Sequence, residues 1–186
     1  LVDGILKPRM PWAERLLRGL EGRLRGGTFS YARPSRRSLS SDLILPGPGR
    51  RRARLALVLD TSGSIQAEEL RVFLGGVRRI AEASAASLRL MQVDASIQVD
   101  EDVEDLDDWL RQARHLKGGG GTDFDEVPAA LRHHPDLEPV DLALLFTDGE
   151  PARWPKRGDW PCPVLVVTTR TPPPREYEWV RLELDW

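Results

Sequence analysis

The sequence predicts an α/β fold of three layers, α/β/α, built on a doubly wound, mostly parallel sheet with a short antiparallel edge strand. Two observations predict it. Leu55-Ala56-Leu57-Val58-Leu59 is a continuous apolar run that ends at Asp60, the signature of a strand buried on both faces. Similar apolar runs recur at Leu142–Phe146 and Val164–Val167, and Leu88–Val93 is a further strand candidate interrupted by Arg89 and Gln92, with stretches of helical periodicity between them, which is the pattern of strands joined by covering helices.

The 186 residues suffice for one medium domain with a core, or a domain plus an arm. Hydrophobic residues make up 40% and charged residues 30%, so a globular chain is expected. No apolar run reaches the length of a membrane span, and the start, Leu1 to Pro8, lacks a signal-peptide pattern. The chain begins without Met, so the expectation is a fragment or a processed chain with sequence upstream. The single cysteine, Cys162, excludes an intrachain disulfide and a cysteine-based metal site, and a reducing, cytoplasmic location is expected. Its Pro-Cys-Pro setting allows a reactive thiol, but an apolar residue at the start of a strand is the plainer reading.

The net charge of −2 hides an asymmetry. Residues 1–54 hold 13 Lys/Arg against 4 Asp/Glu, and residues 55–186 hold 14 against 25. The reading divides the chain into a basic arm, 1–52, acting as an arm or as the hinge to an upstream domain, and an α/β domain, 53–186. In the arm, Pro11 to Leu20 has the periodicity of a short helix, and Leu43-Ile44-Leu45 is bounded by Pro46-Gly47-Pro48-Gly49, which reads as a turn. Arg33, Arg36, Arg37 and Arg50–Arg52 near Phe29 and Tyr31 invite nucleic-acid binding. No helix-turn-helix, zinc-finger or RNA-recognition signature accompanies them. An arm packed against the acidic core explains them as well.

Within the domain, Ala67 to about Ser87 is a helix with Leu70, Phe73, Leu74, Val77 and Ile80 on one face and Glu68 and Glu69 in its first turn. Leu88–Asp94 is the next strand, and Ile97–Val99 a short one at an antiparallel edge. Asp100 to Asp108 holds seven acidic residues in nine positions. It lacks the Gly and Glu of a calcium-binding EF-hand loop and reads as a solvated turn opening a helix from Leu106 to Leu116. Asp123 to His134 is a helix that starts late because of Pro128. The tail after Thr171 closes as either a strand or a short helix. Trp154 and Trp160 either rim a binding face or pack a surface loop. His115, His133 and His134 fall on helix surfaces and read as solvated.

Chemistry gathers where strands end. Asp60, Ser62 and Ser64 follow the first strand, two residues apart, and all three are hard oxygen donors suited to Mg²⁺ or Mn²⁺ rather than zinc or copper, with Ca²⁺ a poorer fit. Four glycines, 118–121, precede Thr122. No Gly-Lys-Ser/Thr follows them, which argues against a phosphate loop, whereas glycines allow positive φ and close backbone approach. The strand Leu142–Phe146 ends at Thr147-Asp148-Gly149. In an open α/β sheet, the first and fourth strands would lie side by side at the switch point, where ligands bind.

These blocks, Asp-Thr-Ser-Gly-Ser, Gly-Gly-Gly-Gly-Thr-Asp-Phe and Thr-Asp-Gly, resemble the metal-ion-dependent adhesion site of von Willebrand factor A (VWA) domains. They are similar above all to a bacterial VWA-like family, over residues 53 to about 168. The resemblance implies a metal held by Asp60, Ser62, Ser64, Thr122 and Asp148. The two serines bind directly, Thr122 directly or through water, and the two aspartates through water. One position is left for a carboxylate from a partner protein. Asp94, Asp123 and Glu150 would be nearby supporting carboxylates or plain surface groups. The resemblance also implies a non-enzymatic adaptor, since such proteins are often encoded with MoxR-type AAA+ ATPases and often follow a metallopeptidase-like domain whose zinc motif is absent here. In that family a Trp…Arg-Pro-Ser-Arg-Arg lead-in also precedes the core. Two features depart from larger VWA domains: the core is short enough to lack a late helix and strand, and the basic arm has no general counterpart.

Competing chemistries fit less well. An aspartic protease needs a second carboxylate motif, and a haloacid-dehalogenase-like phosphatase would want Asp where Ser62 stands. No Gly-x-Ser-x-Gly or His-Glu-x-x-His occurs. A metal-dependent hydrolase in the same crevice stays as the alternative, with Asp60 its strongest nucleophile but without an evident acid/base partner.

Overall fold

A computed structural model describes residues 29–34, 46–48, 53–84, 86–106, 108–109, 120–132 and 139–182. Its centre is a six-stranded sheet. The strands β3 (Arg54–Asp60), β4 (Ser87–Val93), β5 (Ile97–Val103), β6 (Leu142–Thr147), β7 (Val164–Thr168) and β8 (Glu178–Arg181) lie in the order β5-β4-β3-β6-β7-β8. All neighbours are parallel except β4 and β5. Separately, β1 (Phe29–Pro34) and β2 (Pro46–Pro48) pair antiparallel with an irregular register. The Pro46–Pro48 stretch is thus a strand and not the expected turn. Proline's fixed φ suits extended backbone at an edge, where no ladder donor is required.

The helix α1 (Ala67–Ser84) follows β3, and α2 (Val127–Arg132) precedes β6. Strand alternation sorts the core between them. Leu55, Leu57, Leu59, Leu144 and Phe146 point to one face and pack with Leu70, Phe73, Leu74, Val77 and Ile80 of α1. The Phe73 and Phe146 rings stack at 4.5 Å between centroids. Ala56, Val58, Ala143, Leu145, Val164 and Val166 point to the other face, against Phe124, Val127 and Leu131. Each large side chain buried this way contributes about 1.5–3 kcal/mol. Helices on both faces make three layers, as the apolar runs require. The first helical turn of α1 is closed by Glu69, whose Oε2 accepts the N–H of Gln66 at 2.8 Å, the reciprocal half of a capping box.

Several expectations are refined. β5 runs to Val103, so Asp100, Glu101 and Asp102 lie in an edge strand and not in a turn. Pairing with β4 holds them there, and two arginines of the sheet meet them. Buried Arg89 forks onto Asp100 at 2.7 and 2.6 Å, and Arg54 bonds Asp102. The helix α2 starts late, with Pro128 in its first turn. The closing segment is a strand, β8, reached from β7 through a loop without a helix. Trp160 is buried and donates to the Tyr177 hydroxyl at 2.9 Å, while Trp154 lies between Phe124 and Tyr177, so both pack a loop. Cys162 is buried, and that burial pushes its thiol up to about 11, the opposite of an activated thiolate. The helix expected at Pro11–Leu20, most of that at Leu106–Leu116, and His115, His133 and His134 lie outside the described residues.

Candidate metal centre

Adjacency of β3 and β6, in register from Leu55↔Leu142 to Leu59↔Phe146, brings Asp60 and Thr147-Asp148 to one carboxyl edge. There β4 departs to one side of β3 and β6 lies on the other, the switch point of the sheet. The loop after Asp60 is stitched to β4, because Thr61 gives its N–H and its hydroxyl to the Val93 carbonyl at 2.9 and 3.2 Å.

Asp60, 1% exposed, is the hub. Its Oδ1 accepts the Ser62 N–H at 3.0 Å and the Thr122 hydroxyl at 3.0 Å. Its Oδ2 accepts the Thr147 hydroxyl at 2.6 Å. Ser62 Oγ and Ser64 Oγ are 3.0 Å apart, with Ser62 buried and Ser64 exposed. Four of the five residues singled out from sequence are thus joined by direct hydrogen bonds. The fifth, Asp148, is 3% exposed and joins less directly. Its Oδ1 accepts the Glu150 N–H at 3.0 Å, and its Oδ2 faces the Arg170 guanidinium at 3.6 Å, which in turn donates to the Ser64 carbonyl at 2.7 Å.

The supporting carboxylates divide. Asp94 accepts from Gln98 at 2.8 Å and from the Ser96 N–H at 3.2 Å. Asp123 turns outward, its carboxyl held below the usual range first by the Asp125 N–H and then by Arg153. Glu150 accepts the Thr171 hydroxyl at 3.0 Å. Thr122 is fixed through its carbonyl, which receives the Ala152 N–H at 2.7 Å. The glycine expectation is tested only at Gly120 and Gly121. Positive φ occurs not at Gly120 or Gly121 but at Gly149, φ 92°. Glycines 118 and 119 lie outside the described residues.

Sequence reasoning missed two residues of this edge, Thr147 and Arg170. Thr147 carried a signal: it sits beside Asp148 at a strand end, and period-two alternation turns it to the opposite side from its neighbours. Arg170 carried none, since one arginine in a Pro-rich loop resembles any surface cation.

The chain matches the VWA-like domain (DUF2201) family over residues 55–182. It belongs to this family. The match spans the whole six-stranded sheet of the VWA-like domain except the first residue of β3. No curated protein matches it by sequence. Among solved structures it is similar to the SpRpn10 VWA domain, at 12% identity and TM-score 0.47, covering 71% of this chain and 88% of that one. It is also similar to an aerotolerance-related membrane protein from Bacteroides fragilis carrying multiple mutations to serines, at 14% identity and TM-score 0.48, covering 62% and 67%. A third is proximal thread matrix protein 1 from the mussel byssus, at 14% and 0.44, covering 62% of this chain but only 37% of that one.

Proposed function

We propose that this VWA-like domain is a protein-interaction module that binds its partner through a divalent cation, Mg²⁺ or Mn²⁺. The observation that carries the reading is the Asp60 hub. A buried carboxylate accepts three hydrogen bonds while no cation reaches it among the described residues, and the Ser62 and Ser64 hydroxyls, bonded to each other at 3.0 Å, stand beside it. Such a carboxylate is costly to bury without a positive partner. The donor set fits the cation: Asp60, Ser62, Ser64, Thr122 and Asp148 all present hard oxygen.

In this reading Ser62, Ser64 and Thr122 would hold the cation, with Asp60 and Asp148 as its supporting carboxylates. Once bound, the cation supplies a Lewis-acidic position that a carboxylate of the partner protein can occupy. The backbone bonds of Thr61 and Thr122 keep the hydroxyls aimed without it. The module is non-enzymatic, cytoplasmic, and an adaptor in a bacterial complex with a MoxR-type AAA+ ATPase. Among the described residues no helix is long and apolar enough to cross a membrane.

The test is a thermal melt of the chain and of Asp148→Ala in EDTA and then in Mg²⁺ or Mn²⁺. Cation at about 100 times its Kd stabilises the fold by about 2.7 kcal/mol, a rise of roughly 5–10 °C for this size. A rise in the parent that Asp148→Ala loses supports the reading. No rise with any cation overturns it.

A further inference from the structure

The carboxyl edge holds a cation of its own. Arg170 follows β7, and its backbone is pinned on both sides. The Thr169 N–H reaches the Thr147 carbonyl at 3.3 Å, the Thr171 N–H reaches the Asp148 carbonyl at 2.8 Å, and the Arg170 carbonyl accepts from Arg181 at 2.6 Å. The side chain is therefore launched from a fixed point toward the loop after β3. There its guanidinium donates to the Ser64 carbonyl at 2.7 Å and faces two carboxylates, Asp148 at 3.6 Å and Glu69 at 3.9 Å. Both carboxylate side chains are nearly buried, at 4% and 6% exposed, while Arg170 is 41% exposed. Among the described residues no other cation lies within ion-pair distance of either carboxylate.

We propose that Arg170 is the tethered counter-ion of Asp148 and competes with a divalent cation for that carboxylate, thereby setting the affinity of the site. This rests on the metal reading above. One oxygen of Asp148 is already taken by the Glu150 N–H, and the other is the one the guanidinium faces. A divalent cation drawing on Asp148 through water meets a full positive charge at short range, or displaces it. Charges this close interact strongly at a partly buried edge and are screened only in part by salt. The exposure of Arg170 gives it room to swing outward when the cation arrives. The unloaded domain is thereby kept from carrying two uncompensated buried carboxylates, and loading is made weaker than the donor set alone allows.

The experiment is calorimetric titration of the full chain with MnCl₂ and MgCl₂ at low ionic strength, with melts in EDTA, for the parent, Arg170→Gln and Arg170→Lys. Arg170→Gln is expected to bind Mn²⁺ about tenfold more tightly than the parent while melting lower in EDTA. Arg170→Lys, which keeps the charge, stays close to the parent in affinity. A role confined to the Ser64 carbonyl bond predicts the opposite sign, because a loosened loop binds more weakly. Unchanged or weaker binding by Arg170→Gln overturns the inference and leaves the metal reading standing. No binding by the parent or by either variant overturns both. Should Arg170→Gln fail to melt cooperatively in EDTA, Arg170→Met carries the same comparison.

Discussion

Thr147 donates its hydroxyl to Asp60 Oδ2 at 2.6 Å and accepts the Gly149 N–H on the same oxygen at 3.0 Å. One buried hydroxyl thus links the end of β3 to the turn after β6. Thr147→Val keeps the shape and removes the link. Hydrogen bonds to charged groups contribute about 1.5–3 kcal/mol, and urea denaturation should register a loss of that order. The variant should also weaken Mg²⁺ binding more than Asp123→Asn does, because Asp123 is engaged with Arg153 and not with the hub. Equal effects from the two variants would count against the hub.

Gly149 tolerates no side chain. Its φ is 92°, and a Cβ there would lie 1.8 Å from the Thr171 carbonyl oxygen. That oxygen also receives the Thr168 hydroxyl at 2.8 Å, so it cannot give way freely. Gly149→Ala should cost more than the roughly 1–2 kcal/mol of left-handed strain alone. Gly121→Ala, with nothing within 4 Å of its Cβ, should melt within a degree or two of the parent. The pair separates a steric need from mere glycine richness.

Much of this was legible in the sequence because apolar runs and polar punctuation are local signals. β3, β6 and β7 are continuous apolar stretches, and burial on both faces demands that composition. Asp60, Ser62, Ser64 and Thr122 could be placed because each follows a strand end or a glycine run. β5 was read too short because its exposed positions are acidic. Its place in the sheet comes from backbone pairing with β4 and from Arg89 and Arg54, which no window of neighbouring residues reveals. Arg170 was invisible for the same reason, being 106 residues from the Ser64 carbonyl it contacts. The strand at Pro46–Pro48 was hidden behind residues that usually mark turns.

Arg89 and Asp100 form an asymmetric pair. The Arg89 side chain is 2% exposed and that of Asp100 24%. Removing either partner leaves a different orphan. Asp100→Ala strands a guanidinium in the core with, among the described residues, only the Ala130 carbonyl at 3.1 Å for company, and should cost about 3–5 kcal/mol. Arg89→Met fills the space with an apolar chain and leaves a carboxylate that water can reach, so it should cost distinctly less. The double change should recover most of the Asp100→Ala loss. Denaturation midpoints of the three variants decide this, and equal single losses would contradict the burial asymmetry.

Cys162 supplies a pH dependence on the alkaline side. Burial is the main cause that lifts its thiol from an ordinary 9.0 to about 11 in the folded chain. Between those values the unfolded chain has released a proton that the folded chain keeps. The stabilisation is therefore whole below pH 9 and declines as pH rises toward 11. Tyr177 is also pushed up, again chiefly by burial, and adds to the decline from pH 10. Cys162→Ala should flatten the curve most between pH 9 and 10, where the unfolded Tyr177 phenol is less than half ionised. The same burial predicts that the native thiol reacts with a disulfide reagent at pH 8 far more slowly than the unfolded one. Reaction at the unfolded rate, with the sheet intact by circular dichroism, would mean that the start of β7 opens and that the thiol is not held in the core.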